Sequence, residues 1–125
     1  MENKNKLYES SEDYLERILM LHIKNEKVKA IDIASSMGFS KASVSIALKK
    51  LKANGLVKVS KDGDVGLTED GLRVAQKIYE RHRVLGEALM KLGVSEETAY
   101  HDACKIEHDI SEETFQAIKN HLLDH

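Results

Sequence analysis

Along most of the chain apolar residues recur at helical spacing, and one short stretch alternates instead. Ser10 or Ser11 is placed to cap a first helix. Glu12 and Asp13 then fall in its first turn, and Tyr14, Leu15, Ile18, Leu19, Leu21 and His22 form a wide inward stripe. Residues 1–9 read as frayed. Ala30 to Met37 predicts a short helix that Gly38 stops, and Ser40 caps a second one running to about Ala53, where Asn54-Gly55 ends it. Leu56-Val57-Lys58-Val59-Ser60 alternates as a strand, Lys61-Asp62-Gly63-Asp64 is a turn, and Val65-Gly66-Leu67 returns. Thr68 caps a long helix from Glu69 to about Leu92, with Leu72, Ala75, Ile78, Tyr79, Leu85 and Leu89 apolar. Beyond Gly93, Ser95 and Ser111 cap two further helices.

Two short helices joined at a glycine, followed at once by a hairpin, predict a winged helix-turn-helix with a two-stranded wing. The fold class is therefore mainly α. A DNA-binding domain is expected over residues 1–70 and a helical domain over 71–125. In the second short helix Val44, Ala47, Leu48 and Leu51 are the buried stripe. Ala42, Ser45, Ile46, Lys49 and Lys50 are left outside, with Ser40, Lys41 and Ser43 in the opening turn. Small and polar residues at the start allow close groove approach, and lysines beyond reach phosphate. Lys58 and Lys61 on the wing would lie against the backbone of the same duplex.

Charge sharpens this picture. Residues 27–61 hold eight lysines against Asp32 alone, whereas residues 95–125 hold eight acids against two lysines. A basic end suits a polyanion, and an acidic, histidine-bearing end suits cations. The bland reading of the lysines is a solvated face. A single cysteine allows no internal disulfide, no run is apolar enough to span a membrane, and the opening residues are polar. These features point to the cytoplasm. Three helices in the second half cannot bury their own Leu, Ile and Phe, which favours a homodimer.

Candidate chemistry gathers at Cys104-Lys105-Ile106-Glu107-His108. On a helix Cys104, Glu107 and His108 stand at i, i+3 and i+4, so a thiolate, a carboxylate and an imidazole project from one face. They form a metal-ligand set or half of one. The competing reading is a small buried cysteine beside a solvated Glu-His pair. Asp13 and Glu16, three apart, could address one object or simply be dipole acids in water. His82 alone reads as an ordinary histidine.

Three segments together resemble a known family: Ser11-Glu12-Asp13-Tyr14-Leu15-Glu16-Arg17-Ile18, Arg81-His82-Arg83, and Asp102-Ala103-Cys104-Lys105-Ile106-Glu107-His108-Asp109-Ile110-Ser111. In this order around a winged helix they resemble the metal-dependent transcriptional repressors of the diphtheria toxin repressor and manganese transport regulator type, in its two-domain form. The resemblance covers nearly the whole chain. It implies a C-terminal metal-binding and dimerisation domain, and ligands Asp13, Glu16, His82, Cys104, Glu107 and His108. It also implies a corepressor ion, Mn(II) or Fe(II), with Zn(II) or Co(II) able to substitute, and an inverted-repeat DNA operator governing metal uptake.

The chain departs from the family pattern in places. Manganese sensors of this type pair an Asp at the position of Asp13 with a Glu at that of Cys104; iron sensors pair Met with Cys. This chain is a hybrid, whose thiolate favours Fe(II), Co(II) or Zn(II) and whose oxygens favour Mn(II). An auxiliary glutamate of the iron sensors falls on Gly86, with His101 as the alternative donor. Ala42 and Ile46 stand where Pro and a long polar residue are common. Two other functions are compatible with the residues: a winged-helix regulator that answers a small organic ligand without metal, and a zinc hydrolase using Glu16 as base.

Overall fold

The computed structural model describes the backbone of residues 2–124 and the side chains of residues 11–124. Among the described residues six helices and two strands follow in the order α1 (Glu2–Lys24), α2 (Ala30–Met37), α3 (Lys41–Ala53), β1 (Val57–Val59), β2 (Val65–Leu67), α4 (Glu69–Lys91), α5 (Glu96–Ile106) and α6 (Glu112–Asp124). Two compact units result, Met1–Gln76 and Lys77–His125, with the division falling within α4. No helix among the described residues is long and apolar enough to cross a membrane.

In the first unit α1, α2 and α3 enclose a core built from Leu15, Ile18, Ile33, Val44 and Leu51, each nearly inaccessible, and the hairpin adds Val57 and Val65. Gly38 takes φ +73°, a left-handed conformation costly for any residue with a Cβ, and so turns α2 into α3. Ser40 Oγ accepts the Ser43 N–H at 3.1 Å, the cap expected there. β1 and β2 pair antiparallel, with Val57 opposite Leu67, Lys58 opposite Gly66 and Val59 opposite Val65. Gly63, at φ +85°, makes the turn.

Several expectations are corrected. The first helix begins at Glu2, so neither Ser10 nor Ser11 caps it. Nothing from Glu2 to Glu9 breaks a helix, and two serines cost too little to stop one. Asp13 and Glu16 consequently sit well inside α1, beyond the reach of the N-terminal dipole that the bland reading required. Ile31 and Leu72 are 53% and 37% exposed rather than inward, because α2 and the start of α4 each turn only a narrow face to the core.

The sequence also concealed a clasp on the wing. Val65 N–H donates to Val28 O at 2.8 Å, His22 Nε2 lies 2.8 Å from Val65 O, and Lys29 Nζ pairs with Asp64 Oδ1 at 3.0 Å. The stretch before α2 thereby acts as a partial third strand beside the hairpin. Lys29 holds the Asp64 carboxyl below the ordinary aspartate range, chiefly by its hydrogen bond. A carboxylate with a depressed native pKa contributes stability that is present above the unfolded-state value and is lost as pH falls through the native one. Asp64→Asn should therefore lower the thermal midpoint at neutral pH. That deficit should close as both proteins are acidified below about pH 4. Parallel melting curves across pH 7 to 3 that keep a constant separation would rule the clasp out as the cause.

In the second unit Ile78, Leu85, Ala99, Ala103 and Phe115 are buried. Thr68, Ser95 and Ser111 cap α4, α5 and α6, their hydroxyl oxygens accepting from the N–H groups of Gly71, Thr98 and Thr114. Gly93, at φ +106°, turns α4 into α5 as expected.

Candidate metal centre

Ile78, Arg81, His82 and Leu85 lie on the inward stripe of α4, spaced three, one and three apart, so a histidine is carried to the interior with the apolar residues. From the C-terminal end of α5 the chain brings two more donors to it. Helical geometry persists through Glu107, at φ −61° and ψ −24°, although the α5 hydrogen-bonded run closes at Ile106. Cys104 and Glu107 are thus still one turn apart. His82 Nδ1–H donates to Glu107 Oε2 at 3.0 Å, and Cys104 Sγ lies 3.6 Å from the same nitrogen. One ligand atom from each of His82, Cys104 and Glu107 lies within 4.8 Å of the other two. His108 Nε2 stands 3.6 Å from the other carboxylate oxygen, Glu107 Oε1.

The environment of these groups is unequal. Glu107 is fully buried, the His108 side chain is 4% exposed, His82 is nearly buried, and Cys104 is open to solvent. A carboxylate is rarely taken out of water in a small domain unless cations or donors surround it. Here its two oxygens face two different imidazoles. The donor set suits a transition metal: borderline nitrogen, soft thiolate and hard oxygen at one place, and a carboxylate able to engage through either oxygen. The bland reading of Cys104 as a buried hydrophobe does not hold, since the thiol is exposed, and Glu107 is no surface acid.

The other anticipated residues are placed as follows. Asp13 and Glu16 are on α1 of the first unit, with Glu16 buried at 5% exposure and Asp13 partly exposed. His101 is exposed on α5, its ring beside Asp102, apart from the group formed by His82, Cys104 and Glu107. Ser40, Lys41, Ala42, Ser43, Ser45, Ile46, Lys49 and Lys50 are all exposed on or just before α3, and Lys58 and Lys61 are exposed on the hairpin.

Two residues near the site were missed. Arg81 is buried; its Nη1 donates to Glu107 O at 3.1 Å and Ile110 O at 2.9 Å, its Nη2 donates to Glu112 Oε1 at 3.0 Å, and its guanidinium lies over the Phe115 ring. It fixes the backbone that carries Glu107 and His108. The signal was its place between Ile78 and Leu85 on the apolar stripe, which an arginine's usual surface habit masks. Tyr100 is the other. Its ring centroid lies 5.2 Å from that of His82, and it seats against Gly86, where an added Cβ would collide with the Tyr100 ring.

Gly86 is therefore a notch for a ring, which gives a physical reason for the missing glutamate at that position. Gly86→Ala should displace Tyr100 and loosen His82. The expected cost is about 1–3 kcal/mol in urea unfolding, with metal affinity about tenfold weaker, in the range seen when a ligand's supporting contacts are removed. Unchanged values in both assays would show that the Tyr100 seat is unimportant.

Known proteins resemble this chain in sequence and fold. Residues 6–65 match the family model described as the iron dependent repressor, N-terminal DNA binding domain. Residues 68–124 match the iron dependent repressor, metal binding and dimerisation domain. The transcriptional regulator MntR of Escherichia coli O157:H7 is 37% identical over 108 residues, covering 86% of this chain and 70% of that protein. An HTH-type transcriptional regulator of Methanocaldococcus jannaschii is 35% identical over 113 residues, covering 89% and 90%. Among solved structures, the manganese regulator SloR superposes with a TM-score of 0.80 at 31% identity, over 90% of this chain and 53% of that one. A manganese-dependent transcriptional repressor in complex with manganese gives 0.81 at 30% identity, over 90% and 52%. The chain thus spans about half the length of these solved relatives.

Proposed function

The chain belongs to the family of iron-dependent, metal-binding transcriptional repressors, and on that premise we propose that it is a divalent-metal-activated repressor of metal-uptake genes. It would act in the cytoplasm as a homodimer on an inverted-repeat operator. The observation that carries this reading is the meeting of His82, Cys104 and Glu107, drawn from two helices of the second unit. Those three residues and His108 would hold the ion, with Asp13 and Glu16 assigned as further ligands on the strength of the family resemblance. The bound cation would supply positive charge and a fixed coordination shell. Glu107 and the other acids lose their mutual repulsion once neutralised, and the conformation in which all the donors are engaged is favoured in proportion to its tighter binding.

The DNA-binding part, taken as residues 1–70, presents α3 to the major groove, while Lys49, Lys50, Lys58 and Lys61 neutralise phosphates. Residues 71–125 serve metal binding and dimerisation. Within the second unit α4, α5 and α6 leave an apolar groove of about 550 Å³, lined by residues that include Leu85, Leu89, Ile106, Ile118 and Leu122. Leu92 at its edge is 81% exposed. A second copy of the chain is the proposed cover. Leu92→Glu should then convert dimer to monomer in sedimentation velocity while leaving the circular dichroism spectrum intact; a variant that stays dimeric would place the interface elsewhere.

Operator fragments titrated with protein under Mn(II), Fe(II) or Zn(II), with and without chelator, test the whole proposal. DNA affinity should rise steeply with one or more of these ions and return to its basal level with chelator. Affinity indifferent to chelator would favour the metal-independent regulator.

A further inference from the structure

The outward face of α3 supports a finer statement that rests on the DNA-binding reading above. Ser40 Oγ accepts the Ser43 N–H at 3.1 Å and donates to Ser43 Oγ at 3.0 Å, so the Ser40 hydroxyl is engaged in both roles and Ser43 Oγ is held against it. Before Lys49, the remaining exposed positions other than Lys41 are Ala42, Ser45 and Ile46. Ala42 and Ile46 are four residues apart and stand one above the other on the helix. Ile46 is 58% exposed, flanked by Lys49 and Lys50, in the segment that matches a DNA-binding domain.

A branched apolar side chain set among lysines is suited to a polyanion that carries an apolar feature. In the major groove that feature is the C5 methyl of thymine, which the other three bases lack. Neither Ala42 nor Ile46 can donate to or accept from a base edge. We propose that Ile46, with Ala42 one turn before it, reads thymine methyl groups in each operator half-site. Base choice at these positions is made by apolar contact, and hydrogen bonding to the base edge has no part in it.

The test begins with duplexes enriched from a random pool by the full chain, with manganese and, separately, without metal. Each thymine of the enriched site is then replaced in turn by uracil, which deletes the methyl and leaves the pairing and hydrogen-bonding edges unchanged. The wild type should bind about three- to fivefold more weakly when one or two particular thymines per half-site are replaced, the loss expected for one buried methyl. Ile46→Ala should bind the thymine and uracil duplexes alike at the position Ile46 contacts, because the two changes remove the same contact. An enriched site without thymine in the half-site, a wild type indifferent to uracil, or an Ile46→Ala variant that keeps the full uracil effect at every sensitive thymine would each overturn the proposal. Failure to enrich any duplex under either condition, and likewise with Fe(II) or Zn(II) in place of manganese, would overturn it together with the DNA-binding reading beneath it. The wild-type comparison needs no variant, so poor folding of Ile46→Ala would leave the first two outcomes decisive.

Discussion

Glu107→Gln is expected to lower Mn(II) or Fe(II) affinity by at least about 100-fold, the upper end of what supporting contacts alone are worth at metal sites, and to remove metal-dependent DNA binding. The carboxylate is fully buried, and its two oxygens face His82 at 3.0 Å and His108 at 3.6 Å. Gln keeps the volume, so the fold is retained. It removes the negative charge that a cation requires and turns one oxygen into a donor facing an imidazole. Calorimetric metal titration of the variant should be compared with Glu97→Gln, which removes an exposed acid from the same helix. Two variants that both bind like wild type would remove Glu107 from the site. Equal weakening in both would mean that general negative charge, and no specific ligand, attracts the ion.

The largest expected loss of stability follows Arg81→Met. Met preserves much of the packing against Phe115 but leaves the carbonyls of Glu107 and Ile110 without their donor. An unsatisfied carbonyl costs about 1–3 kcal/mol when buried, as that of Glu107 is, and less when part-buried, as that of Ile110 is, which places the total at about 2–5 kcal/mol. The ion pair with Glu112 adds little, because that side chain is 55% exposed and its charge is screened by water. Glu112→Gln is therefore expected to cost less than about 1 kcal/mol in the same urea titration. If the two variants are equally destabilised, the salt bridge and not the pair of backbone acceptors holds this turn. Should Arg81→Met be as stable as wild type, the guanidinium is not what orders the segment carrying Glu107 and His108.

Much of the molecule was legible residue by residue. Gly38, Gly63 and Gly93 announce their turns because few other residues accept a positive φ, and Ser40, Thr68, Ser95 and Ser111 announce helix starts because a hydroxyl there satisfies an N–H the helix cannot. The stripe of Val44, Leu48 and Leu51 identified the buried side of α3, and so by exclusion its outward side. Cys104 and Glu107 could be placed within a turn of each other from their spacing alone. The start of α1 was misread because a serine that suits a cap is also tolerated inside a helix.

What remained was settled by contacts between residues far apart in the chain. The lysine that clasps the wing is 35 residues from its aspartate, and the histidine that reaches Glu107 is 25 residues away. Periodicity places a side chain on a face of its own helix, and capping chemistry locates the ends; both depend on neighbours within a turn. Which oxygen of Glu107 meets which imidazole, why Arg81 is indoors and why Gly86 must stay small depend on how separate elements pack. Local sequence therefore determined the elements, their order and the chemical character of the donors, and tertiary packing alone decided their distances, their burial and their partners.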